Sequence, residues 1–555
     1  YNINESFYIS GLLGLSRMFN QADAFAPPSH AQFAGKETDQ KGRFQRNEIE
    51  SNQWNVRLNV NYAKTLQEKH MLTLSGAAEM EEKKQEQIMW AATGFAADNI
   101  DFPSMALGYG DETYPNGSVT TTRRLALIFA GNYYYDMRYF VDINFNANGA
   151  SSFGEDSRWG KFFSFGLGWN VSNEDFFIEH VPYIQWLKLK ASYGVSGNMG
   201  FSPENAMTVY SLNTQANYLS HFGAYLTSFG NTELKWQNTY QWNFGIELKT
   251  LHECLGLEFS YYRKMTDNTV ADVFLPISHG FNTYKANVGS ILNKGWDVKV
   301  TVDLFKNMDR GFTWNIMGSF NGNKNIVDKL SDGFKYTLSH NVTNMSSQEA
   351  VLKYREGHSM NAIYGLRTVG VDPQTGNRLF LDKNGNVTFA QNAEDMVYLG
   401  DSQPKVQGNI STNIAYKGFI LTVGFGVRWG AKQFNATLAN KTENTHFINN
   451  LDRRVLTQSW QEPGDVVPYK KLDINNTSSN TNVCDAFVQE DNVFQCTNIN
   501  LTYNFSDDIC KKLRLKGLSL NANLSDIFYI SSIKRERGTS YPFSRNPNFS
   551  VSVSF

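Results

Sequence analysis

The sequence contains no run of about 18 apolar residues, so no segment of it crosses a bilayer as an α-helix. Charge is sparse and balanced: 19% of residues are charged, with 51 Lys+Arg against 53 Asp+Glu and a net charge of −2. That balance lacks the basic footprint of a nucleic-acid binder. Cysteine is scarce, with only Cys254, Cys484, Cys496 and Cys510 and no CxxC or Cys/His cluster, which excludes a disulfide scaffold and a zinc site. The 9 histidines are scattered. No Ser/His/Asp, Cys/His or paired-carboxylate constellation emerges at a workable spacing, so neither an enzyme nor a bound cofactor is expected. The opening residues, Tyr1-Asn-Ile-Asn, offer no Met, basic stretch or apolar stretch. The expectation is a chain that starts part-way along, with any export signal outside it.

What is present is aromatic: 14% of residues, with 40 Phe, 27 Tyr and 11 Trp, beside 43 Gly and only 13 Pro. The mean hydropathy is nevertheless −0.42. Greasy aromatics in a polar chain fit strands with one apolar and one wet face. Period-two alternation runs through the whole length. Phe419, Leu421, Val423, Phe425, Val427 and Trp429 share one face, opposite Ile420, Thr422, Gly424, Gly426 and Arg428. Tyr240, Trp242, Phe244, Ile246 and Leu248 oppose Gln241, Asn243, Gly245 and Glu247. Trp54, Val56, Leu58, Val60 and Tyr62 oppose Asn55, Arg57, Asn59 and Asn61, and the chain ends on Phe549, Val551, Val553 and Phe555 with serines between.

A soluble sandwich also alternates, so the connections decide. About sixteen strands are expected, near 5–19, 49–65, 70–83, 121–135, 138–150, 160–172, 184–196, 237–250, 255–269, 290–304, 312–325, 405–417, 418–432, 494–506, 515–528 and 547–555. Short connections such as Leu66–Lys69, Asp136-Met137, Thr250–Cys254 and Lys417-Gly418 are expected to alternate strictly with long ones. The long ones fall near 20–48, 84–120, 197–236, 271–289, 326–404, 433–493 and 529–546. Short periplasmic turns alternating with long extracellular loops are the habit of outer-membrane barrels, whose outward side chains touch lipid and whose inward ones touch water or a plug. A β-propeller would show a blade repeat of about 40–50 residues, and none is found. The predicted fold is therefore all-β: a transmembrane antiparallel β-barrel.

With the strands placed, the motifs resemble the SusC/RagA family of TonB-dependent outer-membrane transporters, typical of Bacteroidota. The stretch Asn148-Gly-Ala-Ser-Ser-Phe-Gly154, then Arg158-Trp-Gly160, Trp169 and Glu174-Asp-Phe-Phe177, is similar to a family signature. That signature reads Arg-x-Asp-Gly-Ser-Ser-x-Phe-Gly, then Arg-x-Gly and a Trp before Glu-x-Phe. Here Asn146 and Asn148 stand at its Arg and Asp positions, and Ala150 interrupts it. Leu187 through Asn198, Leu234-Lys-Trp236, Tyr261 through Asp267, Asn287-Val-Gly289, Gly370 through Gly376, Leu399 through Lys405 and Trp460 through Asp465 continue the likeness in order.

The resemblance implies a barrel of about 22 strands with a plugged lumen, of which this chain would hold the last sixteen or so, the plug domain being missing from it. It also implies a SusD-like surface lipoprotein as lid, TonB as the energy source acting through the missing N-terminal part, and an oligosaccharide or oligopeptide as cargo. The alternative is a passive porin, or a structural or adhesin barrel subunit of another outer-membrane complex.

Ligand contact is expected from outer loops and nearby lumen-facing residues: Trp90, Tyr109, Tyr114, Tyr218, His221, Tyr364, Arg367 and Asn409. Aromatics stack on sugar faces, and amides and guanidinium groups bond hydroxyls or carboxylates. Each such aromatic has a plainer use in packing loops together. The near-neutral loops disfavour a strongly charged cargo. Asp382-Lys-Asn384-Gly-Asn386 half resembles a calcium loop, but Val387 stands where the sharp turn wants Gly, and Asn384-Gly385 reads as a turn. Cys484 and Cys496 flank the entry to one strand as a candidate disulfide on an oxidising surface, while Cys254 and Cys510 fall in short turns as free thiols.

Overall fold

In the computed structural model the described residues are 1–110, 115–201, 205–218, 221–274, 283–307, 311–340, 345–445, 450–472, 480–534, 536 and 543–555. One sheet of 18 strands dominates them, made of sixteen long strands and two short pieces, Asn2–Asn4 and Gly108–Tyr109. Each long strand pairs antiparallel with the next in the chain. Every strand expected from the alternation has its counterpart. Among the described residues the first and last strands, Phe7–Ala26 and Asn548–Ser554, do not pair with each other, so the wall is not closed. No described helix is long and apolar enough to cross a membrane.

The outward face carries exposed Trp54, Val56 and Leu58, Leu127 and Phe129, Ile143 and Phe145, Phe163, Phe165 and Leu167, and Trp242, Phe244 and Ile246 on five strands of the wall. A belt of this breadth would be an aggregation surface in water; against hydrocarbon it is the required surface. At one rim the strands are joined tightly. Lys417 (φ 45°) and Gly418 (φ 90°) form a two-residue turn with both central residues left-handed, the geometry that matches strand twist.

Several strands outrun their predicted ends at the other rim: Phe7–Ala26, Arg43–Leu66, His70–Thr93 and Asn116–Tyr135 extend into stretches read as loops. Their backbone ladder continues where the apolar alternation stops, because beyond the lipid both faces are wet. The cross-strand ion pair Arg46–Asp23 (2.8 Å) lies in this extension, and Arg17–Glu50 (3.0 Å) and Arg123–Glu82 (2.5 Å) lie at the strand ends it grows from. The strict long–short alternation also fails at more than one connection; on the tight rim, 505–516 is long enough to hold the helix Asp507–Lys512. The connection after Ala150 spans only residues 151–158, while the one on the tight rim after Asn170 spans 171–183 and holds a helix, Asp175–His180. The first stays short because Phe153 stacks on Trp236 (4.4 Å, 22°), whose Nε1 donates to Ser157 O (3.0 Å).

The segments 331–405 and 435–487 are folded rather than open loops. Ala362–Gly365 pairs with Val397–Asp401, and Arg367–Val371, Arg378–Leu381 and Val387–Thr388 form a second small sheet. Tyr364, Leu366, Phe380 and Met396 from the first segment share one buried core with Ala439, Cys484 and Phe487 from the second. The two connections therefore make a single body at the long-loop end.

Candidate functional site

The inward face is built of amides. Asn413 Nδ2 donates to Asn315 Oδ1 (3.1 Å) and Asn413 Oδ1 accepts from Thr422 Oγ1 (2.7 Å); two strands on, Asn521 Nδ2 donates to Asn500 Oδ1 (2.7 Å). Elsewhere on the wall Asn323 and Asn325 both donate to Asn293 Oδ1 (3.2 and 3.0 Å), and Asn243 donates to Ser192 Oγ (3.2 Å). Inward aromatic rings reach over glycines and take the space that a side chain would fill there. The Phe140 ring covers Gly168, where a Cβ would come within 1.5 Å of it, and Phe162 covers Gly197 at 1.9 Å.

Where the wall meets the loop body lies a cavity of about 860 Å³. Gln407, Asn409, Arg428, Asp491, Gln495 and Glu536 line it. Arg428 pairs with the buried Asp491 carboxylate. Glu536 is desolvated, which alone would raise its pKa, but hydrogen bonds from Lys441 Nζ (2.5 Å) and Arg454 Nη2 (2.6 Å) outweigh this and hold it below the usual range. Paired charges among amides suit a neutral, hydroxyl- or amide-rich ligand. Arg454 also clasps Asp452 through Nε (2.9 Å), Nη2 (2.8 Å) and its own N–H (2.9 Å).

That clasp, the side-chain bonds first and the backbone bond second, pulls the Asp452 carboxyl down to about 2. A carboxyl depressed in the folded state stabilises it above its unfolded pKa, and that stabilisation is lost as pH falls through the folded value. The helix Arg453–Gln458, which Asp452 caps, is therefore expected to loosen as pH drops from about 4 towards 2. Hydrogen exchange across 452–458 checks this; flat exchange over that window would remove the clasp's role.

The candidates from sequence scatter. Asn409 faces inward and lines the cavity. Trp90 and Tyr109 do come together, 6.4 Å apart edge-to-face, with Phe44 5.7 Å and the Arg46 guanidinium 5.8 Å from Trp90. Unbroken register, however, puts Trp90 on the face of Trp54 and Met80, the outside of the wall, with Tyr109 beside it opposite Ala92. A period-two reading cannot see this once the apolar alternation has faded. Tyr364 is 2% exposed; it bonds His358 and packs on Tyr398 (6.0 Å), so it is core of the loop body. Arg367 is exposed on that body, paired to Leu381. Tyr218 pairs with His221 in a hairpin, their side chains lying outside the described set, as does Tyr114 altogether.

Two further readings are settled. Asp382 accepts from Asn384 N (2.8 Å), Asn386 N (2.8 Å) and Asn386 Nδ2 (3.1 Å), which spends its oxygens on its own turn. The expected Cys484–Cys496 bridge is absent: both are free and buried, Cys484 in the loop-body core and Cys496 in the wall opposite Phe425 and Phe528. Burial pushes the Cys484 thiol up to about 12, so it is inert.

Sequence reasoning missed Asp491, Gln495 and Glu536. Arg428 is visible in the sequence as a charged residue on the inward parity of its strand, a parity it shares with Lys432.

A family profile described as TonB dependent receptor-like, beta-barrel, matches residues 6–453. The chain belongs to that family. It is 26% identical over 513 residues to TonB-dependent receptor P39 of Formosa agariphila, covering 85% of this chain and 48% of the relative. It is 24% identical over 432 residues to TonB-dependent receptor SusC of Bacteroides thetaiotaomicron, covering 74% of this chain and 41% of SusC. Among solved structures, the RagAB peptide transporter superposes with a TM-score of 0.85 at 20% identity, over 100% of this chain and 60% of that one. The receptor chain is thus an outer-membrane β-barrel that spans about half the length of the relatives it matches.

Proposed function

We propose that this receptor forms part of an energised importer for a neutral oligosaccharide or oligopeptide. A SusD-like lipoprotein covers the long-loop end, which faces outward, and TonB supplies the work through a plug that fills the amide-lined lumen. The observation that carries the reading is the cavity under the loop body, lined mainly by amides and by the charges Arg428, Asp491 and Glu536, each paired within the protein, beside Lys534. The outer membrane has no ATP, so a cargo too large for diffusion needs energy passed from elsewhere; no side chain needs to do bond chemistry.

Deleting the gene is expected to abolish growth on one complex nutrient while leaving growth on its monomers intact. Unchanged growth across a broad panel would overturn the importer reading and leave a porin or a structural barrel subunit.

A further inference from the structure

The helix Asp175–His180 sits at one of two described connections where the tight rim departs from short turns, and its attachment fixes which side of the wall it lies on. Glu174, the residue before it, accepts hydrogen bonds from Tyr139 OH (2.6 Å), Trp169 Nε1 (3.0 Å) and Arg138 Nη1 (2.9 Å). Tyr139 continues the outward parity of Ile143 and Phe145, and Trp169 that of Phe165 and Leu167. The two rings stack (6.4 Å, 13°), and Tyr135 stacks on Tyr139 (6.4 Å, 22°), forming an aromatic girdle at the lower edge of the apolar belt. A helix tethered to the outer ends of these rings begins on the lipid side.

Its own side chains fit that placement. Phe177 is buried, while Phe176 and Ile178 are 55% and 60% exposed. Asn170 and Asn173 amides hold Met137 O (2.6 and 2.9 Å), fixing the neighbouring turn, whose tip Met137 is also exposed and apolar. Three donors hold the Glu174 carboxyl below its usual range, Tyr139 foremost and then Trp169, with Arg138 after the opposing desolvation. A carboxylate at the edge of hydrocarbon stays ionised only when satisfied in this way.

We propose that Asp175–His180 is an interfacial foot: it lies in the headgroup–acyl boundary of the leaflet at the short-turn end, with Phe176 and Ile178 inserted into lipid. Glu174 is the positioning residue that sets its height. Continuity with the girdle selects a lipid surface as the occupant, since interfacial helices of this kind bind by burying apolar side chains to shallow depth.

The test places a fluorescent, environment-sensitive label at Phe176→Cys or Ile178→Cys, each combined with Cys254→Ser because Cys254 is the exposed free thiol and the other three are buried. Glu68→Cys, in a tight turn of the same rim, is the water-facing control. The full receptor is reconstituted in lipid nanodiscs, and nitroxide carried near the lipid headgroup is compared with aqueous iodide as quencher. Labels at 176 and 178 are expected to be quenched several-fold more by the nitroxide lipid than the label at 68, with iodide giving the reverse order. Iodide quenching equal to that at 68 would overturn the proposal, as would protection from both quenchers, which would mean that protein covers the helix. Two label sites guard against one variant failing to fold. Glu174→Ala is expected to shift the 178 label from lipid to iodide quenching while the barrel still migrates as folded, and Glu174→Gln to restore much of the lipid signal. An unmoved label in Glu174→Ala would remove its positioning role.

Discussion

Replacing Glu443 by Gln is expected to loosen the entire loop body and leave the barrel wall standing. Glu443 and Arg378 are among the most enclosed charges described, with side chains 0% and 4% exposed. Glu443 accepts from Arg378 Nε (3.0 Å), Lys470 N (3.0 Å) and Thr481 Oγ1 (2.6 Å), while Arg378 also donates to Pro468 O (2.6 Å) and lies over the Phe487 ring (5.5 Å). The pair thus ties residue 378, from the first long connection, to residues 443–487 of the second. Removing one partner leaves the other buried and uncompensated, which destabilises by about 3–5 kcal/mol. The double variant Arg378→Met/Glu443→Leu is expected to lose less than either single change, because two apolar side chains leave no orphan charge. Protease cleavage within 331–487, scored against an intact barrel band, reads both effects. Equal resistance of Glu443→Gln and the unaltered chain would show that the two connections are held by their apolar core alone.

The second large effect separates the faces of one strand. Phe165 points out of the wall and Ser164 into it, where Asn144 Nδ2 donates to its Oγ (3.2 Å). Arginine at a mid-bilayer lipid-facing site costs about 2–4 kcal/mol, whereas a lumen position tolerates it. Phe165→Arg is therefore expected to lower the folded fraction sharply in lipid vesicles, and Ser164→Arg to leave it near normal. The unheated, folded band on a gel against urea concentration gives both numbers. Equal losses for the two would contradict lipid contact on the aromatic face.

The fold was legible because each strand repeats one physical decision: apolar towards lipid, polar towards water. That decision writes a period of two into residues such as Trp242, Phe244 and Ile246, and the tight turns punctuate it. Legibility stopped where the decision stopped. Around Glu48 and Glu86 both faces are wet, so the continuing ladder leaves no hydrophobic trace, and these strand ends read as loops. The site was harder still. Its lining comes from strands and loops distant in sequence, with Asn321 and Asn409 beside Asp491 and Glu536, and only pairing register brings them together. Tyr364 misled for a related reason: a tyrosine in a long polar connection looks available for stacking, yet two such connections here fold on each other and enclose it. The pairing of Cys484 with Cys496 rested on closeness in sequence, which the boundary between loop body and wall cancels.

The unequal ends of this wall divide the molecule's freedom to change. At one end, turns as tight as Lys417-Gly418 lock the register of adjoining strands, so a single inserted residue there would swap every lipid-facing side chain with a water-facing one. At the other, 331–405 and 435–487 lie beyond the paired wall and touch its backbone at few points, such as Val327, whose N–H donates to His358 O (2.9 Å) and whose carbonyl accepts from Gly357 N (2.8 Å), so most of their content can change without shifting the ladder. Change can therefore accumulate in the upper body, on a scaffold whose lower edge tolerates little revision.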